Sequence, residues 1–359
     1  MNKGLCLSLA LLFLVTTACA GGAPSPTPSS STPWIEEEIT FAFGPSDLHG
    51  ILTLPTGEGP HPAIALVYGA ADLSTGARSG VSSRYFVDHA RQMVREGFAV
   101  LRYDPPGVGR STGESGFESL QGRTEEAVAA VHYLQSRPGI LPDEVGLYGI
   151  SQGGWVIAMA AAAHPKDVAF IISVSGSGVS VAEQQVHSIK AQSHAAGMSE
   201  EDVTRAVLVG RLLIDWQLTD PVYREVNESD GQALGDGPWT PFMDLVYRPG
   251  KITPAEGLEQ GIEILESIRD EPWAEFLYLK ELYIPQLERI PPEQVEAVRA
   301  LAIQSLLNDP KDYLTRVRCP VLAVFGETDL LQPTEKSAAL YEQYLKEAGN
   351  EDVEIVVIP

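Results

Sequence analysis

The stretch Val145-Gly146-Leu147-Tyr148-Gly149-Ile150-Ser151-Gln152-Gly153-Gly154-Trp155 joins a short apolar run to a G-x-S-x-G motif. The apolar run predicts a buried strand, and the Ala-rich residues 155–163 predict a helix after it. A strand that turns sharply into a helix needs small residues two before and two after the turning residue, because the backbones crowd there. Gly149 and Gly153 meet that need. Ser151 is therefore predicted to be a nucleophile on a strained turn, and the alternative is a plain glycine turn.

On this motif and its Ser-Gln-Gly-Gly-Trp continuation, the chain resembles the α/β-hydrolase superfamily, in particular bacterial exported serine esterases and prolyl-oligopeptidase-like hydrolases. The likeness runs from about Trp34 to the end of the chain, apart from a middle insertion. It implies a mostly parallel α/β sheet flanked by helices, with a large helical cap inserted before the penultimate strand. It also implies hydrolysis of a small carboxylic ester through an acyl-enzyme, which needs no cofactor.

Two backbone amides are expected to bind the oxyanion. The amide of Gln152 lies at the predicted helix N-terminus, where backbone N–H groups have no helical acceptor. The buried run 63–67 ends in Tyr68-Gly69-Ala70-Ala71, and the resemblance places the second donor in the loop after this strand, at Ala70. Tyr68 stands where the superfamily usually has histidine. An ordinary loop is the alternative, since a backbone role has no residue-type signature.

The predicted acid follows another buried strand, residues 320–325. This strand leads into Gly326-Glu327-Thr328-Asp329, and the resemblance places the triad acid at Asp329. Such a carboxylate would hold an imidazole in one tautomer and stabilise the imidazolium. Glu327 is the alternative acid.

The general base is expected outside the printed chain. The resemblance gives the order serine, acid, histidine, with the histidine in the loop after the last strand. Here all seven histidines precede Asp329, and the last predicted strand, residues 353–358, is followed by Pro359 alone. We expect the base within about ten residues beyond Pro359, the usual span of such a loop. The alternative is that His187 or His194 reaches Ser151 from a cap helix.

The remaining patterns predict the elements around this site. Alternation predicts a hairpin from strands 35–43 and 48–54, with turn residues 44–47. Residues 141–144 are interpreted as a turn. Residues 104–111 (Asp-Pro-Pro-Gly-Val-Gly-Arg-Ser) are interpreted as a structural turn, since no lysine follows the glycines and no helix starts there. The other predicted strands are 99–103 and 168–174, and the predicted helices are 82–96, 120–135 and 334–348.

Composition and hydrophobic periodicity divide the chain into five segments. Residues 1–20 resemble a signal peptide, residues 21–33 a Pro/Ser/Thr linker, residues 34–178 and 318–359 the two parts of the core, and residues 179–317 a helical cap. Aromatic residues of the cap either line an acyl pocket or pack as its core, and the core is favoured. They are Trp216, Trp239, Phe242, Tyr247, Trp273, Phe276 and Tyr278.

Two processing routes compete at the signal peptide. A small residue before Cys19 resembles a lipoprotein cleavage site, with Cys19 as the lipid attachment, and cleavage after Ala18-Cys19-Ala20 is the alternative. The lipoprotein is favoured because the linker suits a tether, so we expect a protein of the bacterial cell envelope, held at the membrane only by lipid. The alternative is a secreted soluble protein.

Charge, cysteine content and histidine spacing argue against several kinds of partner and site. The net charge of −23 argues against nucleic acid and anionic membrane surfaces. With Cys6 and Cys19 in the signal, Cys319 is the only thiol of the body, which excludes a disulfide framework. The seven histidines show no metal-ligand spacing.

The sequence therefore predicts an exported serine hydrolase acting on esters. A serine peptidase, or a thioesterase or acyltransferase on the same fold, is the alternative within the enzymes. An inactive surface-anchored binding protein is the alternative from another class.

Overall fold

A computed structural model of the chain describes residues 34–69, 81–113, 119–218 and 254–359. All of them belong to the compact unit Pro33–Pro359. The signal peptide, the linker and Cys19 lie outside the described residues.

Eight strands form one sheet in the order β1-β2-β4-β3-β5-β6-β7-β8. β1 and β2 pair as an antiparallel hairpin, β2 is antiparallel to β4, and the remaining neighbours are parallel. The sheet is thus mostly parallel, as predicted. The strands are β1 (Trp34–Phe43), β2 (Ser46–Pro55), β3 (His61–Val67), β4 (Ala99–Tyr103), β5 (Ile140–Ile150), β6 (Ile171–Val174), β7 (Val321–Gly326) and β8 (Val353–Ile358).

Helices cover both faces of the sheet. The buried residues of α1 pack with Ile64 and Leu66 on one face, and those of α2 and α3 pack with Ala65 and Val67 on the other. Successive residues of β3 therefore point into different cores, which explains its continuous apolar run. The helices are α1 (Arg84–Arg95), α2 (Leu120–Gln135), α3 (Gln152–Ala163), α4 (Val181–Ala195), α5 (Glu200–Leu218), α6 (Pro254–Ile268), α7 (Ile284–Leu287), α8 (Val295–Leu306), α9 (Lys311–Leu314) and α10 (Thr334–Glu347).

The interpretation of residues 141–144 as a turn is wrong. They are part of β5, which begins at Ile140 and pairs there with His61. The next registered pair is Ala63 with Val145, so residues 141–144 form an irregularity in the strand. Pro142 and Asp143 are tolerated because such a bulge does not need regular ladder hydrogen bonds. β6 is also shorter than the predicted strand, since it begins at Ile171.

Between β6 and β7 the described residues form helices joined by turns and contain no strand, and we call α4 to α9 with their short connecting helices the helical insertion. The connecting helices are the 3₁₀ helices Pro272–Leu277 and Pro292–Gln294 and the π-helix Leu279–Tyr283. The insertion has its own apolar cluster, which includes Leu212, Leu265 and Trp273. Trp273 is therefore a core residue, as favoured for the aromatic residues, whereas the hydroxyl of exposed Tyr278 donates to Gln192. Within the described ranges, no helix is both long and apolar enough to cross a membrane.

Candidate active site

Ser151 lies at the turn between β5 and α3, in a backbone conformation that L-residues rarely adopt. Its φ is 52° and its ψ is −121°. Its amide donates to Val174 O at 2.9 Å, which ties the turn to the end of β6. Positive φ at a non-glycine residue costs energy and persists only where the surroundings impose it. The half-buried Ser151 is therefore held on a strained turn at the carboxyl edge of the sheet.

The two glycines of the motif are required by close packing. A Cβ atom on Gly149 would lie 2.3 Å from Gly153 O, and one on Gly153 would lie 2.5 Å from Val67 O and 2.8 Å from Tyr68 O. All these neighbours are backbone atoms, which cannot rotate away as a flexible side chain could. The crowding expected from the sequence is therefore present on both sides of Ser151, and on one side it comes from β3.

The end of β3 brings a second segment to the nucleophile. A Cβ atom on Gly69 would lie 3.1 Å from Ser151 Cβ and 3.6 Å from Ser151 Oγ. Gln152 is the first residue of α3, so its amide has no acceptor within the helix. The structure thus brings together Gln152 and the start of the loop after β3. Ala70 lies outside the described residues, and its role as second oxyanion donor stays a prediction.

A buried guanidinium that sequence reasoning did not single out connects these two segments. Arg123 in α2 is 4% exposed, and it donates to Gln152 Oε1 and to Tyr68 O, the latter at 2.5 Å. The only sequence signal is a basic residue on a helix that is otherwise buried along much of its length. Its partners lie 29 and 55 residues away in the sequence, so their identity needed the fold.

Asp329 follows β7 and is fixed by the backbone of its own loop. Its Oδ1 accepts the amides of Leu331 at 2.8 Å and Gln332 at 3.1 Å. These bonds orient the carboxylate and leave Oδ2 available for an imidazole N–H. Glu327 is exposed, and its amide donates to Ile358 O at 2.8 Å. The end of β8 therefore lies beside the loop that carries Asp329.

The strand order sets the spacing between Ser151 and Asp329. β5 and β7 are separated by β6, and Ile150, Val174 and Val324 lie in register across the three strands. Two strand spacings are about 10 Å. The strand order therefore places the turn with Ser151 and the loop with Asp329 two strands apart at the same edge of the sheet.

The two histidines proposed as alternative bases lie on helix α4 and are not hydrogen-bonded to Ser151 in the described part of the chain. His194 Nε2 is 3.3 Å from a carboxylate oxygen of Glu200. His187 lies on the same helix, α4, and its Nε2 is buried without a hydrogen-bond partner. In the described part of the chain, no hydrogen bond joins either histidine to Ser151 or Asp329. The remaining histidines lie in other places: His49 next to Asp104, His61 at the start of β3, His89 against Tyr85, and His132 and His164 on either side of Asp167.

The single thiol of the body is a packing residue. Cys319 is half-buried just before β7 and packs against the main apolar cluster. Burial raises its pKa from 9.0 to about 12. The thiol is therefore protonated at neutral pH, which does not suit a nucleophile.

Comparison with known proteins identifies the family. Residues 46–243, more than half of the chain, match the family described as X-Pro dipeptidyl-peptidase (S15 family). The chain belongs to this family. The match includes β2 to β6, the turn of residues 149–153 around Ser151, which we call the elbow, and the start of the helical insertion. This S15-family chain is a hydrolase of the esterase or peptidase type on the α/β-hydrolase fold.

Individual relatives have low sequence identity to this chain or match only a short part of it. An Escherichia coli protein described as an uncharacterized 31.7 kDa protein in the traX-finO intergenic region is 22% identical over 289 residues, 80% of each chain. The thiohydrolase aneE of Aspergillus aculeatus is 37% identical over 86 residues, 24% of this chain and 27% of the other. Among solved structures, the α/β hydrolase GrgF from Penicillium sp. is 19% identical, with a TM-score of 0.49 over 90% of this chain and 89% of the other.

Proposed function

We propose that this chain is an exported serine hydrolase that cleaves carboxylic esters through an acyl-enzyme intermediate. The observation that carries the proposal is Ser151 at positive φ between β5 and α3, with both neighbouring glycines locked by backbone contacts. A strained serine at this position costs stability, and exposure of a nucleophile is the chemical use of that strain. Membership of a hydrolase family supports this role.

The proposed reaction has two balanced steps. In the first, Ser151 Oγ attacks the ester carbonyl and gives its proton to a general base, and the base then protonates the departing alcohol. In the second, water attacks the acyl-enzyme, the base takes its proton, and Ser151 leaves with the proton returned to it. Both tetrahedral intermediates carry a negative oxygen. The amides of Gln152 and Ala70 are proposed to bind it.

Asp329 is proposed to orient the base. Its Oδ1 is held by two amides, so Oδ2 is the oxygen that would accept an imidazole N–H. The base that we propose is a histidine. The hydrogen bond from Glu327 N to Ile358 O brings the end of β8 beside the loop that carries the proposed acid.

The helical insertion is proposed to act as a cap that shapes the substrate pocket. Its first helix, α4, contacts the Asp329 loop and the helix that follows it, since Gln184 donates to Leu331 O at 2.6 Å and Glu183 pairs with Lys336 of α10. A cap attached at this point would select the acyl or alcohol group without taking part in the chemistry. The proposed substrate is a small ester, and no nucleic acid partner is proposed. Lipid on Cys19 is the proposed membrane attachment.

Two other substrate classes have specific support. The family is named for X-Pro dipeptidyl-peptidases, which favours a peptide, and the local similarity to a thiohydrolase favours a thioester. The chain as expressed from its natural gene should be assayed on p-nitrophenyl butyrate, a butyryl thioester and Gly-Pro-p-nitroanilide. Ser151→Ala serves as the matched inactive control, and a fluorophosphonate probe reports the nucleophile.

We expect the highest kcat/KM on the oxygen ester, with every activity lost in Ser151→Ala. A higher kcat/KM on Gly-Pro-p-nitroanilide would make the chain a peptidase, and a higher value on the thioester would make it a thioesterase. No turnover and no probe labelling would contradict an enzyme and favour a binding protein.

A further inference from the structure

Arg123 is a buried charge in the first turn of α2. Ser119 caps this helix by accepting the amide of Gly122 at 3.0 Å, which fixes the turn that carries Arg123. The residue is 4% exposed. Removing a guanidinium from water is costly unless its donors are satisfied, so its acceptors explain why it is there.

The two acceptors lie on the two segments that meet at Ser151. One nitrogen of Arg123 donates to Gln152 Oε1, on the residue directly after the nucleophile, and the other donates to Tyr68 O at 2.5 Å. Tyr68 directly precedes Gly69. A Cβ atom on Gly69 would lie 3.1 Å from Ser151 Cβ, so these two residues are close neighbours. A single rigid group thus bridges the elbow and the start of the loop after β3.

Two buried carboxylates act on Tyr68, one of the two residues that Arg123 bridges. Buried Glu126 lies one turn along α2, and buried Asp104 follows β4. Burial first, and then the charges of Asp104 and Glu126, raise the pKa of the Tyr68 hydroxyl, while the charge of Arg123 lowers it.

We propose that Arg123 is a positioning residue that fixes Gln152, the proposed oxyanion donor on the elbow, against the end of β3 by bridging Gln152 and Tyr68. This inference rests on the proposed function, because it concerns the oxyanion hole of that reaction. Because its side chain is buried, Arg123 would act through the elbow, whose Gln152 amide would have to lie within about 3 Å of the oxyanion.

The planar fork of arginine explains the residue type. Two of its nitrogens point in fixed directions and reach two acceptors at once, whereas the lysine ammonium is a single point on a flexible stem. Arg123→Lys is therefore expected to keep one contact at best. A donor displaced by about 1 Å costs as much as about 100-fold in rate, so kcat should fall about 10- to 100-fold in Arg123→Met and less in Arg123→Lys.

The test compares Arg123→Met, Arg123→Lys and Gln152→Leu in the full chain. Gln152→Leu removes one acceptor but keeps the backbone amide. Leu134→Ala is the control for lost stability, because Leu134 is fully buried on the same helix about 16 Å along its axis from Arg123. For each variant we would measure unfolding, kcat and KM on p-nitrophenyl butyrate, and Ki for a trifluoromethyl ketone, whose serine adduct carries the oxyanion.

In Arg123→Met, and to a smaller extent in Arg123→Lys, we expect kcat to fall while KM changes less than about two-fold. The Ki for the ketone should rise in the same proportion as kcat/KM falls. Arg123→Met combined with Gln152→Leu should be no worse than Arg123→Met alone, since one bridge is lost in both. The inference is overturned if Arg123→Met and Leu134→Ala have the same kcat and Ki. If Arg123→Met does not fold, an unchanged Ki in Gln152→Leu and Arg123→Lys overturns it as well. Absence of fluorophosphonate labelling in the wild type would instead overturn the proposed function.

Discussion

Replacement of Gly153 by alanine tests whether crowding at the elbow holds the nucleophile in place. The new Cβ would lie 2.5 Å from Val67 O and 2.8 Å from Tyr68 O. Carbon and carbonyl oxygen approach to about 3.3 Å in favourable contacts, so β3 and the elbow must separate by about 0.8 Å. The contacts are backbone atoms in a parallel sheet, and no rotamer change can relieve them.

The expected cost follows from two opposing terms. Overpacking of this kind costs about 1–3 kcal/mol, and the absence of flexible neighbours places Gly153→Ala at the upper end. Alanine gains up to about 1 kcal/mol over glycine in a helix. The net destabilisation is about 2 kcal/mol, which corresponds to a fall in Tm of about 3 °C for a unit of this size. Turnover should fall with it, because the displaced strand leads into the oxyanion loop.

Gly122→Ala is the matched control for this experiment. Gly122 also lies in the first turn of a helix, but a Cβ there would meet only Ser119 Oγ, at 3.5 Å. This variant should be unchanged or more stable by up to about 1 kcal/mol. Urea unfolding and p-nitrophenyl butyrate hydrolysis would be measured on both. If Gly153→Ala is as stable and active as Gly122→Ala, the close packing around Ser151 does not hold the elbow.

Three further predictions concern the acid, alkaline stability and the anchor. Asp329→Asn should lower turnover about 10⁴-fold by losing the orienting charge, whereas Glu327→Gln should stay within about two-fold; equal losses in a steady-state assay would exclude Asp329 as the acid. Burial raises the pKa of Tyr341 from 10.0 to about 12, so its contribution, about 3 kcal/mol, is present below pH 10 and lost as pH rises through 12. The free energy of unfolding measured in urea should therefore fall less for Tyr341→Phe than for wild type between pH 10 and 12, and parallel profiles would contradict this. Radiolabelled palmitate should be incorporated in a bacterial host and lost in Cys19→Ala; an unlabelled precursor product beginning at Gly21 would establish the soluble alternative.

Local pattern was sufficient for much of the sheet and its flanking helices. β4, β8 and α2 have the predicted bounds, because a mostly apolar short run or a helical pattern determines each of them locally. The start of β5 was missed for a physical reason. Pro142 and Asp143 are turn formers in isolation, and only pairing with β3 makes their segment an irregular strand.

The candidate site shows the same division. Ser151 and Asp329 could be located because each is a residue type in a short motif after a strand. The bridge from Arg123 could not be predicted from the sequence, because it depends on contacts between α2, α3 and the end of β3 that no local pattern encodes. Its acceptors are a side-chain amide and a backbone carbonyl, which leave no signature in the sequence.

Mass spectrometry of a fluorophosphonate adduct tests the central claim most directly. Wild-type protein should carry one probe molecule on the peptide containing Ser151, and Ser151→Ala should carry none while keeping the wild-type Tm within a few degrees, since the hydroxyl makes no hydrogen bond among the described residues. An adduct on another residue, or labelling that survives in Ser151→Ala, would contradict the assignment of Ser151 as the nucleophile.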